Sequence, residues 1–101
     1  MRVLFAEPAE RDLDEIIDFI ALDDPRAAEK VYHTIVATTA RLGDFPNIGH
    51  AGRLPDTREL SVTSLPYVVV YEVADEAITV LAIFHTARDL ARAIEARRGS
   101  D

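Results

Sequence analysis

Two runs of strand-forming residues lie almost end to end in the second half of the chain. Tyr67–Val73 is rich in β-branched and aromatic residues and follows Pro66, and Ala77–His85 is its neighbour. Only Ala74, Asp75 and Glu76 separate them, a spacing that fits a tight turn between antiparallel strands. Within the second run, Ile78, Val80, Ala82 and Phe84 alternate with Thr79, Leu81 and Ile83, so both faces are apolar. A strand apolar on both faces belongs inside a sheet rather than at its rim. The remainder of a 101-residue chain must therefore supply neighbouring strands and a covering layer.

That layer is written in the first half. Leu13, Ile16, Ile17 and Ile20 recur at i, i+3, i+4 and i+7, with Glu10, Asp14 and Asp18 on the opposite side. This periodicity predicts an amphipathic helix over 8–22. Pro8 suits its first turn. Asp23-Asp24-Pro25 interrupts the pattern, and Asp24 can cap a second helix with Pro25 at its first position. Ala28, Val31, Ile35, Thr38 and Leu42 carry the stripe of that helix, and Gly43 is expected to end it. So short a break predicts an antiparallel helical hairpin.

Residues 2–6 read as a first strand, ended by Glu7-Pro8, and Arg58–Thr63 as another. Residues 43–57, with Gly43, Pro46, Gly49, Gly52 and Pro55, form an irregular connection. A connection of this length is often functional, though a simple spacer accounts for it equally well. Thr86 can cap a last short helix carrying Leu90, Ala91 and Ile94. The expected fold is α+β, a small antiparallel sheet packed against an α-helical hairpin in the order β-α-α-β-β-β-α. A single domain is expected over 1–98, with 99–101 as a short tail. The hairpin can cover one sheet face only, so the other is expected to be partly open unless a partner or the last helix covers it, and an open apolar face would attract a protein partner.

Charge narrows the functions available. The net charge is −7, which argues against binding nucleic acid through bulk electrostatics. Residues 1–50 hold 10 acids against 5 bases and residues 51–101 hold 8 against 6, so any anion is better met by the second half. There is no cysteine, hence no disulfide and no thiolate chemistry, as suits the cytoplasm. No apolar run is long enough to cross a membrane, and the start, Met1-Arg2-Val3-Leu4-Phe5 followed by Glu7 and Glu10, does not read as a signal peptide.

No phosphate-binding glycine loop, zinc spacing or nucleophile elbow is present. His33 falls mid-helix and His50 in the long connection, neither at ligand spacing. Arg53, Arg58, His85 and Arg88 are the residues of chemical interest. Arg58 opens one strand, His85 closes another, and Arg88 begins the last helix. If these ends converge, arginines offer bidentate recognition of phosphate or carboxylate, and a histidine offers acid–base chemistry near neutral pH. Ordinary ion pairs of Arg58 with Glu59, Glu72 or Asp89, and a backbone contact for His85, account for the same residues, and spacing alone favours them.

The chain resembles the RelE/ParE toxin superfamily. The resemblance runs through Pro8-Ala9-Glu10-Arg11-Asp12-Leu13, Asp24-Pro25-Arg26-Ala27-Ala28, Leu42-Gly43-Asp44-Phe45-Pro46-Asn47-Ile48-Gly49, Arg58-Glu59-Leu60, Pro66-Tyr67-Val68-Val69-Val70-Tyr71 and Phe84-His85-Thr86-Ala87-Arg88-Asp89. It implies the toxin of a type II toxin–antitoxin system, neutralised by a cognate antitoxin protein that adds to the sheet edge or fills the groove beside the hairpin. RelE-like members cut messenger RNA on the ribosome without a metal; ParE-like members poison DNA gyrase. The RelE-like pattern commonly carries an Arg after the Tyr that starts the third strand, and here Tyr67 is followed by Val68. Valine can neither move a proton nor stabilise a phosphorane. Val68 and the acidic charge bring the chain closer to the ParE-like branch, with gyrase inhibition and no cofactor or metal expected. The alternative is a ribosome-dependent endoribonuclease with Arg58, His85 and Arg88 as catalytic residues.

Overall fold

The computed structural model describes residues 1–87. Strand β1 (Arg2–Phe5) leads into helix α1 (Glu7–Ala21), which is followed by α2 (Pro25–Asp44). Four strands complete the described chain: β2 (His50–Ala51), β3 (Arg58–Ser61), β4 (Tyr67–Val73) and β5 (Ala77–His85). The expected last helix, with Leu90, Ala91 and Ile94, lies outside the described residues.

Both helices follow from local chemistry. Glu7 and Glu10 sit in the first turn of α1, where carboxylates oppose the positive end of the helix dipole, and Pro8 occupies a position that needs no N–H donor. Asp24 caps α2 by accepting the Ala27 N–H at 3.1 Å. Ala9 and Leu13 of α1 meet Ile35 and Leu42 of α2 in the core, with Ile16, Ile17 and Val31 packed around them. The buried threonines of α2 cost little, because Thr38 Oγ1 donates to Thr34 O and Thr39 Oγ1 to Val36 O.

Gly43 does not end α2, which runs on to Asp44, and no glycine among the described residues has positive φ. The reason for glycine is proximity. A Cβ at residue 43 would lie 2.7 Å from Met1 O, and the Met1 amino group donates to Gly43 O at 2.8 Å. The helix end is thereby fastened to the strand that precedes α1.

The α+β architecture stands, but the sheet is mixed rather than wholly antiparallel. Its order is β1-β5-β4-β3-β2, and β1 pairs with β5 in parallel. A parallel neighbour requires a crossover, which the helical hairpin provides. β5 continues past the end of β1, and there Asp12 Oδ2 of α1 accepts the Ile83 N–H at 3.0 Å. The long connection is also not wholly irregular, since β2 extends the sheet by two residues against β3.

A second departure concerns which side chains face the helices. Val70 pairs with Ala82 and Tyr71 with Val80, so Leu81 is an extra residue in β5. Such a bulge shifts the alternation by one. Ile78 and Val80 share the helix-side core with Ile83, whereas Ala82 and Phe84 face the other way with Val68 and Val70. The expected single row of Ile78, Val80, Ala82 and Phe84 is thus split between faces. Nor is the second face open there: Val68, Val70, Ala82 and Phe84 are buried, with Leu54 packed against them.

Candidate functional site

Arg58 and Tyr71 are partners across β3 and β4 and share the helix-side face. Both point at the loop between α2 and β2. The Tyr71 hydroxyl donates to Pro46 O at 2.9 Å and accepts the Gly49 N–H at 3.0 Å. Arg58 Nη2 donates to Asn47 O at 3.0 Å and to Gly49 O. Arg58 Nε is buried and makes no hydrogen bond. Gly49 is required by the fit, because a Cβ would come within 2.6 Å of Glu59 O and 2.8 Å of the Tyr71 hydroxyl. A strand pair thus grips four backbone groups of Pro46, Asn47 and Gly49 through two side chains.

On the opposite face Glu59 is buried, and its Oε2 accepts the Arg53 N–H at 2.9 Å. The Arg53 guanidinium stands 3.9 Å from Oε1 while remaining largely exposed. Gly52 N donates to Thr57 O at 2.8 Å and Thr57 Oγ1 to Leu54 O at 2.7 Å, which closes residues 52–57 into a tight loop with Asp56 at φ 62°. Between this loop and the first lies an open cleft of about 460 Å³, lined by Asn47, Arg53, Leu54, Pro55, Arg58 and Val73 among others.

His85 is elsewhere. It pairs with Tyr67 at the far end of β4, the two rings meeting edge-on at 5.6 Å, and its Nδ1 accepts the Ala87 N–H at 3.2 Å. Arg58 pairs with Tyr71, four residues along the same strand. That separation is roughly 13 Å along β4, with a strand on either side. Arg58 and His85 therefore do not converge, and Arg88 lies outside the described residues. Arg53 joins Arg58 at the cleft through the loop, not through a common strand end. His50 stands on β2 opposite Glu59, and His33 is exposed on α2 beside Glu29. Val68 is 3% exposed and packed in the second-face cluster with Val70, Ala82 and Phe84. No three His, Asp or Glu side chains are grouped to hold a metal ion among the described residues, and none of their helices is long and apolar enough to cross a membrane.

Two large apolar side chains, Phe45 and Ile48, emerge from the gripped loop into solvent. They escaped the sequence reading of the site, which sought charge. Their signal was there to see: apolar bulk in a segment otherwise made of Gly, Pro, Asp and Asn.

The sequence model of one family, the ParE toxin of the type II toxin–antitoxin system parDE, matches residues 3–90. The chain is 34% identical over 84 residues to a Sinorhizobium fredii protein named "Putative toxin Y4kP", covering 83% of this chain and 86% of that one. Among solved structures, a chain of the chromosomal ParDE toxin–antitoxin system from P. aeruginosa superimposes with a TM-score of 0.77 at 25% identity, over 84% of this chain and 95% of that one. The isolated E. coli RelE toxin shares the fold, with a TM-score of 0.62 at 19% identity over 96% of each chain.

Proposed function

Since the chain belongs to the ParE toxin family of type II toxin–antitoxin systems, we propose that it acts by inhibiting DNA gyrase. Its partner at rest is the antitoxin of the pair, and the cytoplasm is where it would meet both. The observation that carries the gyrase reading is Val68, where the RelE-like pattern commonly has an arginine. This position is occupied by a buried aliphatic side chain within an apolar cluster. A phosphate approaching it would find no donor and no charge to oppose the one developing in cleavage. Arg58, the nearest analogue of a catalytic cation, spends its guanidinium on two loop carbonyls. The net charge of −7 also suits a protein target better than an RNA backbone.

Supercoiling of relaxed plasmid by purified gyrase should fall as the toxin is added, and recover when antitoxin is present in excess. Unimpaired supercoiling at saturating toxin rejects the proposal. One observation favours the second reading, a ribosome-dependent endoribonuclease: His85 stands half-buried against Tyr67, a titratable ring held beside a phenol. On that reading Arg58, His85 and Arg88 are catalytic. Translated messages would acquire new 5′ ends within codons, and His85→Ala would remove them.

A further inference from the structure

The loop that Arg58 and Tyr71 grip is held more firmly than a connection needs to be. Pro46 O, Asn47 O, Gly49 O and Gly49 N are all engaged by side chains of the sheet. Its upstream end continues the helical hydrogen bonding, with Phe45 N donating to Arg41 O and Ile48 N to Phe45 O. On this rigid base Phe45 is 58% exposed and Ile48 38%. One turn separates them. Apolar side chains on a fixed backbone leave less chain to be ordered when a partner covers them, which is the setting of an interface anchor. Asn47 also lines the adjoining cleft, whose apolar walls are Leu54, Pro55 and the exposed Val73, and whose cations are Arg53 and Arg58. Knob and cleft form one continuous surface.

The charge around it differs from that of the rest of the chain. The helical hairpin carries Asp14, Glu15 and Asp18 along α1 and Asp23 and Asp24 at its tip. The loop itself has no charge and is flanked by Arg41, Arg53 and Arg58 against Asp44 and Asp56. An apolar knob bordered by three arginines against two carboxylates, on an otherwise acidic molecule, suits a partner of opposite pattern.

We propose that Phe45 and Ile48, with the cleft beside them, dock the toxin on its protein target, and that the target meets them with an apolar socket bordered by carboxylates. The inference rests on the reading of a protein-directed toxin and names the surface that does the work. A carboxylate of the target reaches the exposed Arg53 guanidinium, and an apolar side chain enters between Leu54 and Val73. Arg41, exposed in the last turn of α2, adds a cation one turn before Phe45.

The test uses the full chain, purified gyrase and the antitoxin of the pair. Phe45→Ser with Ile48→Ser should raise the toxin concentration needed for half-inhibition of supercoiling by about thirtyfold, as loss of a central anchor does. Ile48→Glu and Arg41→Glu should each raise it about fivefold or more, because they turn attraction into repulsion. The three substituted positions, Arg41, Phe45 and Ile48, are all exposed, so Tm and antitoxin binding should match wild type; should the double variant unfold, the single charge variants decide. Unchanged inhibition by folded variants overturns the proposal. Loss of antitoxin binding alongside loss of inhibition also overturns it, since the surface would then belong to the antitoxin. If wild-type toxin arrests growth without affecting gyrase, the gyrase reading fails while docking is judged on growth: abolition of arrest by the double variant supports it, and retention overturns it. A wild-type chain that leaves growth untouched overturns both.

Discussion

At Tyr71 a single hydroxyl serves two loop groups, as donor to Pro46 O and acceptor from Gly49 N. Tyr71→Phe removes the partner of both the buried Gly49 N–H and the part-buried Pro46 O, at a cost of about 1–3 kcal/mol. Urea denaturation should show the loss as a lower midpoint with an unchanged slope. Val68 supports a second expectation. Val68→Arg restores the residue of the RelE-like pattern but places a cation among Val70, Ala82 and Phe84. The described side chains packed around it are all apolar, so on the order of 3–5 kcal/mol of stability should be lost, and message cleavage should not appear. Gain of cleavage in a folded variant contradicts the ParE-like reading. Arg58 shows why residue roles were only half legible. Its identity and place at a strand start were plain in the sequence, and the cluster with His85 followed by supposing that strand ends converge. The register of β3 on β4 puts Tyr71, not Tyr67, opposite Arg58, and no local signal encodes that offset.

The helices were the most legible elements, because a 3.6-residue stripe and an Asp-Pro start are local properties. Asp24→Ala should cost about 0.5–2 kcal/mol through the Ala27 N–H it uncaps. Far-UV circular dichroism during thermal unfolding would register it as a lower Tm, and an unchanged Tm would mean that packing alone holds the start of α2. β5 was legible as a strand and misread in its facing. Alternation of Ile78, Val80, Ala82 and Phe84 looks continuous because Leu81 and Ile83 are apolar as well, so the bulge leaves no trace in composition. Removing Leu81 should leave that facing intact: Val80 would run directly into Ala82, and Ala82, Ile83 and Phe84 would keep their faces and their partners Val70, Val69 and Val68. The deletion variant is expected to keep a cooperative thermal transition at a somewhat lower Tm; loss of that transition would mean that the extra twist at the bulge is needed for β5 to fit between β4 and β1. The parallel pairing of β1 and the two-residue β2 were beyond sequence reading for a similar reason, since each depends on a partner distant in the chain.

At the scale of the molecule, about a hundred residues sustain two apolar layers, one between sheet and hairpin and a smaller one on the second face. A chain of this size buries a modest share of its surface and holds a narrow stability margin. Yet it keeps Leu4 on the edge strand, Leu22 at the hairpin tip and Phe45 on the gripped loop substantially in solvent. A lone monomer gains nothing from such exposure, whereas a toxin that is passed between an antitoxin and a target needs surface for both. Mass action then gives the antitoxin a second effect besides neutralisation. At free antitoxin about a hundredfold above its Kd, binding to the native toxin alone adds roughly 2.7 kcal/mol, which for a domain this small corresponds to a Tm rise of roughly 10–20 °C. The rise should grow logarithmically with antitoxin concentration, and differential scanning fluorimetry across a titration measures it. Protection of amide hydrogens should grow along β1 if the antitoxin adds a strand at that edge, and should leave residues 45–49 unchanged if the gripped loop is kept for the target. A flat Tm would show that the antitoxin binds unfolded toxin as well as native, and that the exposed apolar residues are not its concern.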